Sequence, residues 1–208
     1  MFFKRKGNAV EPPAAPVGRA EPMVIDGRHA VLNTSMVEPF PDGFEKIIVA
    51  MGCFWGPENA FAELDGVYTT AAGYAGGTTP NPTYDEVSEG LTGHAESVLV
   101  VFDPKVVGLE DLLAKFWEQH DPTTPRGLTG FGSNYRSALF TTTPEQLEVA
   151  LKSRDRYQAR LTDIGYTKIR TEIRLADEFY YAENYHQQYM HKNPKAFCAT
   201  GFCQVSYS

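Results

Sequence analysis

Cysteine is scarce in this chain. Three thiols in 208 residues, Cys53, Cys198 and Cys203, are too few to staple a small secreted domain, and an odd number cannot all pair within one molecule. They read better as thiols in exchange. Cys198 and Cys203 are separated by four residues with no second pair of ligands beside them, so a zinc site is a weak reading. Positive charge is also short: a net charge of −7 argues against nucleic acid as the main partner. No apolar run approaches the roughly 20 residues of a membrane span, so no membrane partner is expected. The basic start Met1-Phe2-Phe3-Lys4-Arg5-Lys6 runs into Gly7, Asn8 and then prolines instead of an apolar stretch. A secretory signal is therefore not expected, and the cytoplasm is the expected compartment. What is present, 42% hydrophobic and 22% charged residues without an internal repeat, suits one globular domain with extensions.

Residues 1–43 carry Pro12, Pro13, Pro16, Pro22, Pro39 and Pro41 and little periodicity, which predicts an extended arm. Met23, Val24 and Ile25 suggest that its second half packs. A domain over 44–192 and a mobile, irregular tail over 193–208 follow. Within the domain, Lys46–Ala50 reads as a buried strand, followed by a helix with Pro57 in its first turn and Ala60, Phe61 and Leu64 on one face. Gly66–Ala72 and Ser97–Phe102 are further strands, separated by a long Gly/Pro/Thr/Asn loop over 73–95 of the kind that is functional or disordered. Leu109, Leu112, Leu113, Phe116 and Trp117 fall on one helical face. After a loop over 121–134, Arg136–Phe140 is a strand. Thr143-Pro144-Glu145-Gln146 has the form of a capping box opening a helix to about Leu161. Lys168–Leu175 alternates like a strand, and Ala182–His191 is expected to be a short helix. Strands interleaved with helices predict an α+β or α/β sandwich.

Gly52-Cys53-Phe54-Trp55-Gly56 is the most informative run. It sets a thiol beside two aromatics at the end of a strand, near a helix N-terminus where unpaired N–H groups favour a thiolate. A buried structural cysteine among core aromatics is the plain alternative, but the flanking glycines suggest a tight turn that exposes the thiol. Cysteine with histidine also suits a hydrolase, in which His94 or His186 would act as base, yet no local hydrolase pattern surrounds Cys53. Both histidines are expected to be hydrogen-bonded scaffold.

The same run, with Gly73-Tyr74-Ala75-Gly76-Gly77, Asn81-Pro82-Thr83-Tyr84, Thr92-Gly93-His94-Ala95-Glu96, Phe116-Trp117-Glu118-Gln119-His120-Asp121-Pro122-Thr123, Asn134-Tyr135-Arg136-Ser137, Phe179-Tyr180-Tyr181-Ala182-Glu183 and His186-Gln187-Gln188-Tyr189, resembles the peptide methionine sulfoxide reductase A family over roughly residues 44 to 198. The resemblance implies an α+β fold, a two-layer sandwich with a central mixed sheet and βαβ units. It implies thiol-dependent reduction of methionine S-sulfoxide, free or in proteins, by a monomer with no metal or organic cofactor. Cys53 would be the nucleophile, and Phe54 and Trp55 would wall the S-methyl pocket. Glu96 would be the proton donor, its acid form favoured by exclusion of water, and Tyr84 and Tyr135 would hydrogen-bond the sulfoxide oxygen. Attack would leave a sulfenic acid on Cys53, which Cys198 would capture as a disulfide, with Cys203 a secondary exchanger and thioredoxin the external reductant. Two departures stand out. Gly130 occupies a position where the family commonly has an acidic residue, and the Cys198–Cys203 spacer is short. A sulfoxide-binding module that has lost turnover is the competing implication of these changes.

Overall fold

Ile47, Val49 and Met51 of the first strand are buried in one apolar cluster, and Ile48 and Ala50 in another on the opposite side. Successive side chains of a strand point to opposite faces, so a continuous apolar run means a sheet covered on both sides. The structure, a computed structural model, describes residues 14–127, 130–196 and 203–207. Its elements in chain order are β1 (Glu45–Met51), α1 (Trp55–Ala62), β2 (Val67–Ala75), α2 (Tyr84–Ser88), β3 (Ala95–Phe102), α3 (Leu109–Glu118), a 3-10 turn (Ser133–Tyr135), β4 (Ser137–Thr141), α4 (Pro144–Asp163), β5 (Glu172–Leu175), β6 (Phe179–Tyr181) and α5 (Tyr189–Lys192).

The strands form one mixed sheet in the order β5-β4-β1-β3-β2-β6. Its neighbours are antiparallel except β4 and β5, which are parallel and joined through α4 as an uninterrupted βαβ unit. In β1-α1-β2 the strand β3 lies between the two ends, and in β3-α3-β4 the strand β1 does, so two split βαβ units interlock. Phe61 of α1, Leu112, Leu113, Phe116 and Trp117 of α3, and Ala150, Tyr157 and Leu161 of α4 cover one face. The arm covers the other, where Met36 is buried and Ile25, Phe40 and Phe44 pack beside it. Two layers with the arm as a partial third satisfy the predicted α+β sandwich. No helix among the described residues is long and apolar enough to cross a membrane.

The arm is tied down as well as packed. Its His29 is buried, with Nε2 2.9 Å from Thr70 Oγ1 of β2 and Nδ1 accepting from the N–H groups of Val31 and Leu32. Arg19 Nε donates to the carbonyl of Asn81 at 2.9 Å.

Several boundaries differ from the sequence reading for local reasons. β2 continues through Gly73, Tyr74 and Ala75, which read as loop, because β6 pairs with this end. A Cβ on Gly73 would lie 2.3 Å from the Phe179 ring and 2.4 Å from the Tyr180 carbonyl, so only glycine lets the two strands approach. The long loop also contains α2, closed at its start by a capping box between Thr83 and Glu86. At α4, Thr143 caps Gln146 N as predicted, but Gln146 Oε1 accepts from Thr142 N instead of completing the box at Thr143. Ahead of β5, Ile169 N is taken by Gln158 Oε1 and Arg170 N by the Pro122 carbonyl, which shortens the predicted strand. The helix expected from Ala182 is confined to Tyr189–Lys192, since Gln188 adopts φ +49.

Of the tail expected over 193–208, residues 203–207 at its far end are docked. Cys203 and Tyr207 are buried, Tyr157 OH donates to the Val205 carbonyl at 3.1 Å, and Tyr207 N donates to Glu118 Oε1 at 2.7 Å. Tyr207 and Val205 supply an apolar edge that periodicity could not reveal in so short a segment.

His120 offers a test of this packing. It lies buried between the Phe116 carbonyl at 2.7 Å from Nδ1 and Ser137 Oγ at 2.7 Å from Nε2. Burial lowers its pKa to about 4, so the ring is neutral near neutrality; Nδ1–H then donates to the carbonyl, which leaves Nε2 to accept from Ser137. The unfolded chain then binds more protons than the fold between about pH 6.5 and 4, so this residue's contribution is intact above that window and is lost as pH falls through it. In His120→Gln, the loss of unfolding free energy from pH 7.5 to 5.5 is expected to be about 1 kcal/mol smaller than in the wild type. Denaturant titrations of both proteins at the two pH values measure it; parallel losses would show a ring that titrates normally.

Candidate active site

β1 ends at Met51, and Gly52 turns the chain with φ +97, a conformation that glycine adopts without strain. Cys53 follows, half-buried, and Phe54 is the N-cap of α1. A strand-to-helix turn thus presents the thiol at the helix N-terminus, as the sequence predicted.

Glu96, in the middle of the sheet on β3 opposite Tyr74 of β2, comes to the same turn. Its side chain is buried, with Oε2 accepting from Phe54 N at 3.2 Å and Oε1 lying 3.5 Å from Asn134 Nδ2. The carboxyl is therefore bonded to the residue next to Cys53, a juxtaposition of two distant segments. Tyr135, beside Asn134, has its phenol pushed up to about 12 by burial first and then by neighbouring Glu96 and Tyr84. It stays protonated near neutrality and keeps an O–H to donate. Tyr84 opens α2 and is anchored through its N–H to Glu183 Oε1 at 2.9 Å, whose other oxygen accepts from Tyr74 OH at 2.8 Å. Tyr84, Tyr135 and Glu96 thus gather from three segments.

Phe54 and Trp55 sit in an aromatic cluster centred on His186. The His186 ring centroid is 4.9 Å from that of Phe54, 4.6 Å from Tyr84 and 5.9 Å from Trp55. Trp55 stacks on Tyr189 at 3.8 Å and donates Nε1–H to His186 Nδ1 at 3.1 Å. Burial lowers the His186 pKa to about 4, so the imidazole is neutral. With Nδ1 occupied by Trp55, it serves as scaffold and not as the base of a cysteine hydrolase. His94 is scaffold too, accepting from Gly77 N and bonding the Thr79 carbonyl.

The segment carrying His186 is held by groups that sequence reasoning missed. Gln187 bonds both backbone groups of Ala72, and Glu58 in the first turn of α1 accepts from Gln188 N at 2.7 Å and Gln188 Nε2 at 2.9 Å. Glu58 is buried, which raises its carboxyl pKa to about 7. Adjacent amides at 187 and 188 within a helix-like stretch were the available signal. Asn134, beside Tyr135, joins these groups, its Nδ2 lying 3.5 Å from Glu96 Oε1.

The tail thiols fare differently. Cys198 lies outside the described residues. Cys203 Sγ is 3.4 Å from Asp121 Oδ1, and burial followed by the Asp121 charge pushes its thiol up to about 12. In this arrangement it is a poor nucleophile. At Gly130, φ is +94 and a Cβ would meet nothing within 4 Å, so the absent side chain leaves open space. Among the described residues, no three His, Cys, Asp or Glu side chains gather as metal ligands.

The model of the family described as "Peptide methionine sulfoxide reductase" matches residues 45–206. The chain is 55% identical over 190 residues to the peptide methionine sulfoxide reductase MsrA of Rhodospirillum centenum, covering 91% of this chain and 87% of that protein. Among solved structures it is similar to methionine sulfoxide reductase A of Corynebacterium diphtheriae, with a TM-score of 0.81 and 40% identity over 96% of this chain and 99% of that one. It is also similar to Mxr1 from Saccharomyces cerevisiae in complex with Trx2, with a TM-score of 0.54 and 26% identity over 82% of this chain and 97% of that one. A thiol at a helix N-terminus, a buried carboxyl beside it and this likeness along nearly the whole chain agree: the chain belongs to the peptide methionine sulfoxide reductase A family.

Proposed function

We propose that this enzyme reduces methionine S-sulfoxide, free or in proteins, through attack of the Cys53 thiolate on the sulfoxide sulfur. The carrying observation is the Glu96 carboxyl bonded to Phe54 N, which brings a proton source to the thiol's turn. Phe54 and Trp55, braced by His186 and Tyr189, exclude water from the S-methyl group. Tyr84 and Tyr135 hydrogen-bond the sulfoxide oxygen, and Glu96 protonates it as the S–O bond breaks. Attack joins Cys53 Sγ to the substrate sulfur; as that bond and the S–O bond break, the protonated oxygen passes to Sγ, leaving Cys53 as a sulfenic acid and releasing the substrate as the thioether. Cys198 then attacks the sulfenic sulfur, forming a disulfide and releasing water. Thioredoxin supplies the two electrons that restore both thiols, with Cys203 entering exchange only after leaving Asp121. The electrons come from thiols throughout, so no prosthetic group is required. A reducing compartment such as the cytoplasm suits this cycle.

A blocked peptide carrying one methionine sulfoxide tests the reading. With dithiothreitol as reductant, the S epimer is expected to be consumed and the R epimer left, as resolved by chromatography. No loss of either epimer would leave only a binding module.

A further inference from the structure

Soluble proteins scatter single apolar residues over their surfaces, and such residues alone carry no meaning. Here the aromatic ones are not scattered. Among the described residues only two aromatic side chains are exposed, Phe131 at 104% and Tyr185 at 56%, and both belong to segments that build the Cys53 site. The Tyr185 ring lies 4.2 Å from that of His186, which contacts Tyr84 and Phe54 in turn. Phe131 precedes Asn134 and Tyr135 on a loop that is pinned on both sides of it. Gly130 N donates to the Gly90 carbonyl just beyond α2 at 2.8 Å, and Arg126 Nη1 donates to the Gly132 carbonyl at 3.2 Å. Gly130 and Gly132 hold φ +94 and +77, and Ser133 N closes the turn on the Gly130 carbonyl at 3.0 Å. The ring is thus presented by a fixed backbone, which lowers the entropy cost of using it in binding. Gly130 beside it adds no side chain, and Arg126, the cation of this loop, is turned onto the Gly132 carbonyl.

We infer that Phe131 and Tyr185 form an aromatic rim that receives apolar residues flanking the sulfoxide, so that this enzyme selects oxidised methionines from apolar sequence, such as core segments exposed by unfolding. The inference rests on the reductase reading above and concerns the substrate that site prefers. An apolar neighbour in a peptide would bury its surface on these rings, whereas a polar neighbour or free methionine sulfoxide has nothing to place there. Phe131 is then a specificity residue that never touches the reacting sulfur.

Two blocked pentapeptides decide it, one with leucine and one with serine on both sides of the sulfoxide, assayed with dithiothreitol. The wild type is expected to favour the leucine peptide by about tenfold in kcat/KM, mostly through KM, which is the discrimination that partial burial of one apolar side chain provides. In Phe131→Ser that preference is expected to fall to about twofold, while Phe131→Leu restores most of it. A wild-type ratio near one, a ratio unchanged in Phe131→Ser, or an equal loss on both peptides would overturn the rim. Wild-type inactivity on both peptides would instead overturn the reductase reading itself. Should Phe131→Ser fold poorly, the same ratio measured in Tyr185→Ser carries the test.

Discussion

Cys53→Ser is expected to lower sulfoxide reduction by on the order of 10³-fold or more, the scale of removing a nucleophile from a site that otherwise remains assembled. A serine hydroxyl is not ionised near neutrality at a helix N-terminus, whereas a thiol there can be. The substitution is close to isosteric, and the bond from Phe54 N to Glu96 does not depend on the atom at position 53. Folding stability is therefore expected to stay within about 1 kcal/mol, as for substitutions that leave packing and buried bonds in place. Binding should survive as well, because the stacking of Trp55 on Tyr189 and its bond to His186 do not involve position 53. Quenching of Trp55 fluorescence by a sulfoxide peptide reports that binding without turnover. Retention of more than a few per cent of the wild-type rate would move the nucleophile to another thiol. The docked Cys203 is then the weakest candidate, since its thiol is held at about 12.

Local sequence carried much of this architecture. β1, β3, α3 and α4 are long runs with one periodicity each, and their apolar faces pointed to a sheet with helices against it. The turn at Gly52-Cys53 was legible because its grammar is local: an apolar strand, a glycine and a helix start within a few residues. What stayed hidden depends on contacts across the chain. β6 is three residues long and exists because Gly73 admits its ring and carbonyl. The helix expected over 182–188 gave way at Gln188, which adopts φ +49 and gives its N–H to Glu58 instead of a helix carbonyl. Glu96 could be named only through family resemblance, since no local pattern brings a residue on β3 to a helix N-terminus starting at Trp55. Docking of residues 203–207 stayed hidden for the opposite reason: two apolar positions after Cys203 have too little periodicity to signal packing, although Tyr207 N donates to Glu118 and the Val205 carbonyl accepts from Tyr157.

Glu96→Gln is expected to slow the sulfur step by about 10² to 10⁴, the range for a positioned general acid, while leaving substrate binding almost intact. The amide keeps an oxygen for the bond from Phe54 N, and its size preserves the packing between β3 and the 134–135 segment. What it cannot supply is an acidic proton to the departing oxygen. The nearby phenols do not replace it: Tyr135, held at about 12, donates a hydrogen bond but does not release its proton near neutrality. Oxygen would then have to leave sulfur without protonation, which raises the barrier of that step alone. Single-turnover rapid mixing with one equivalent of a sulfoxide peptide isolates it from thioredoxin recycling. The expected signature is a lower rate with an unchanged KM, together with loss of the pH dependence that the wild type owes to this proton. An equal fall in affinity would mark Glu96 as a structural cap on the Phe54 turn. An unchanged rate and pH profile would move the proton source to another donor at the site.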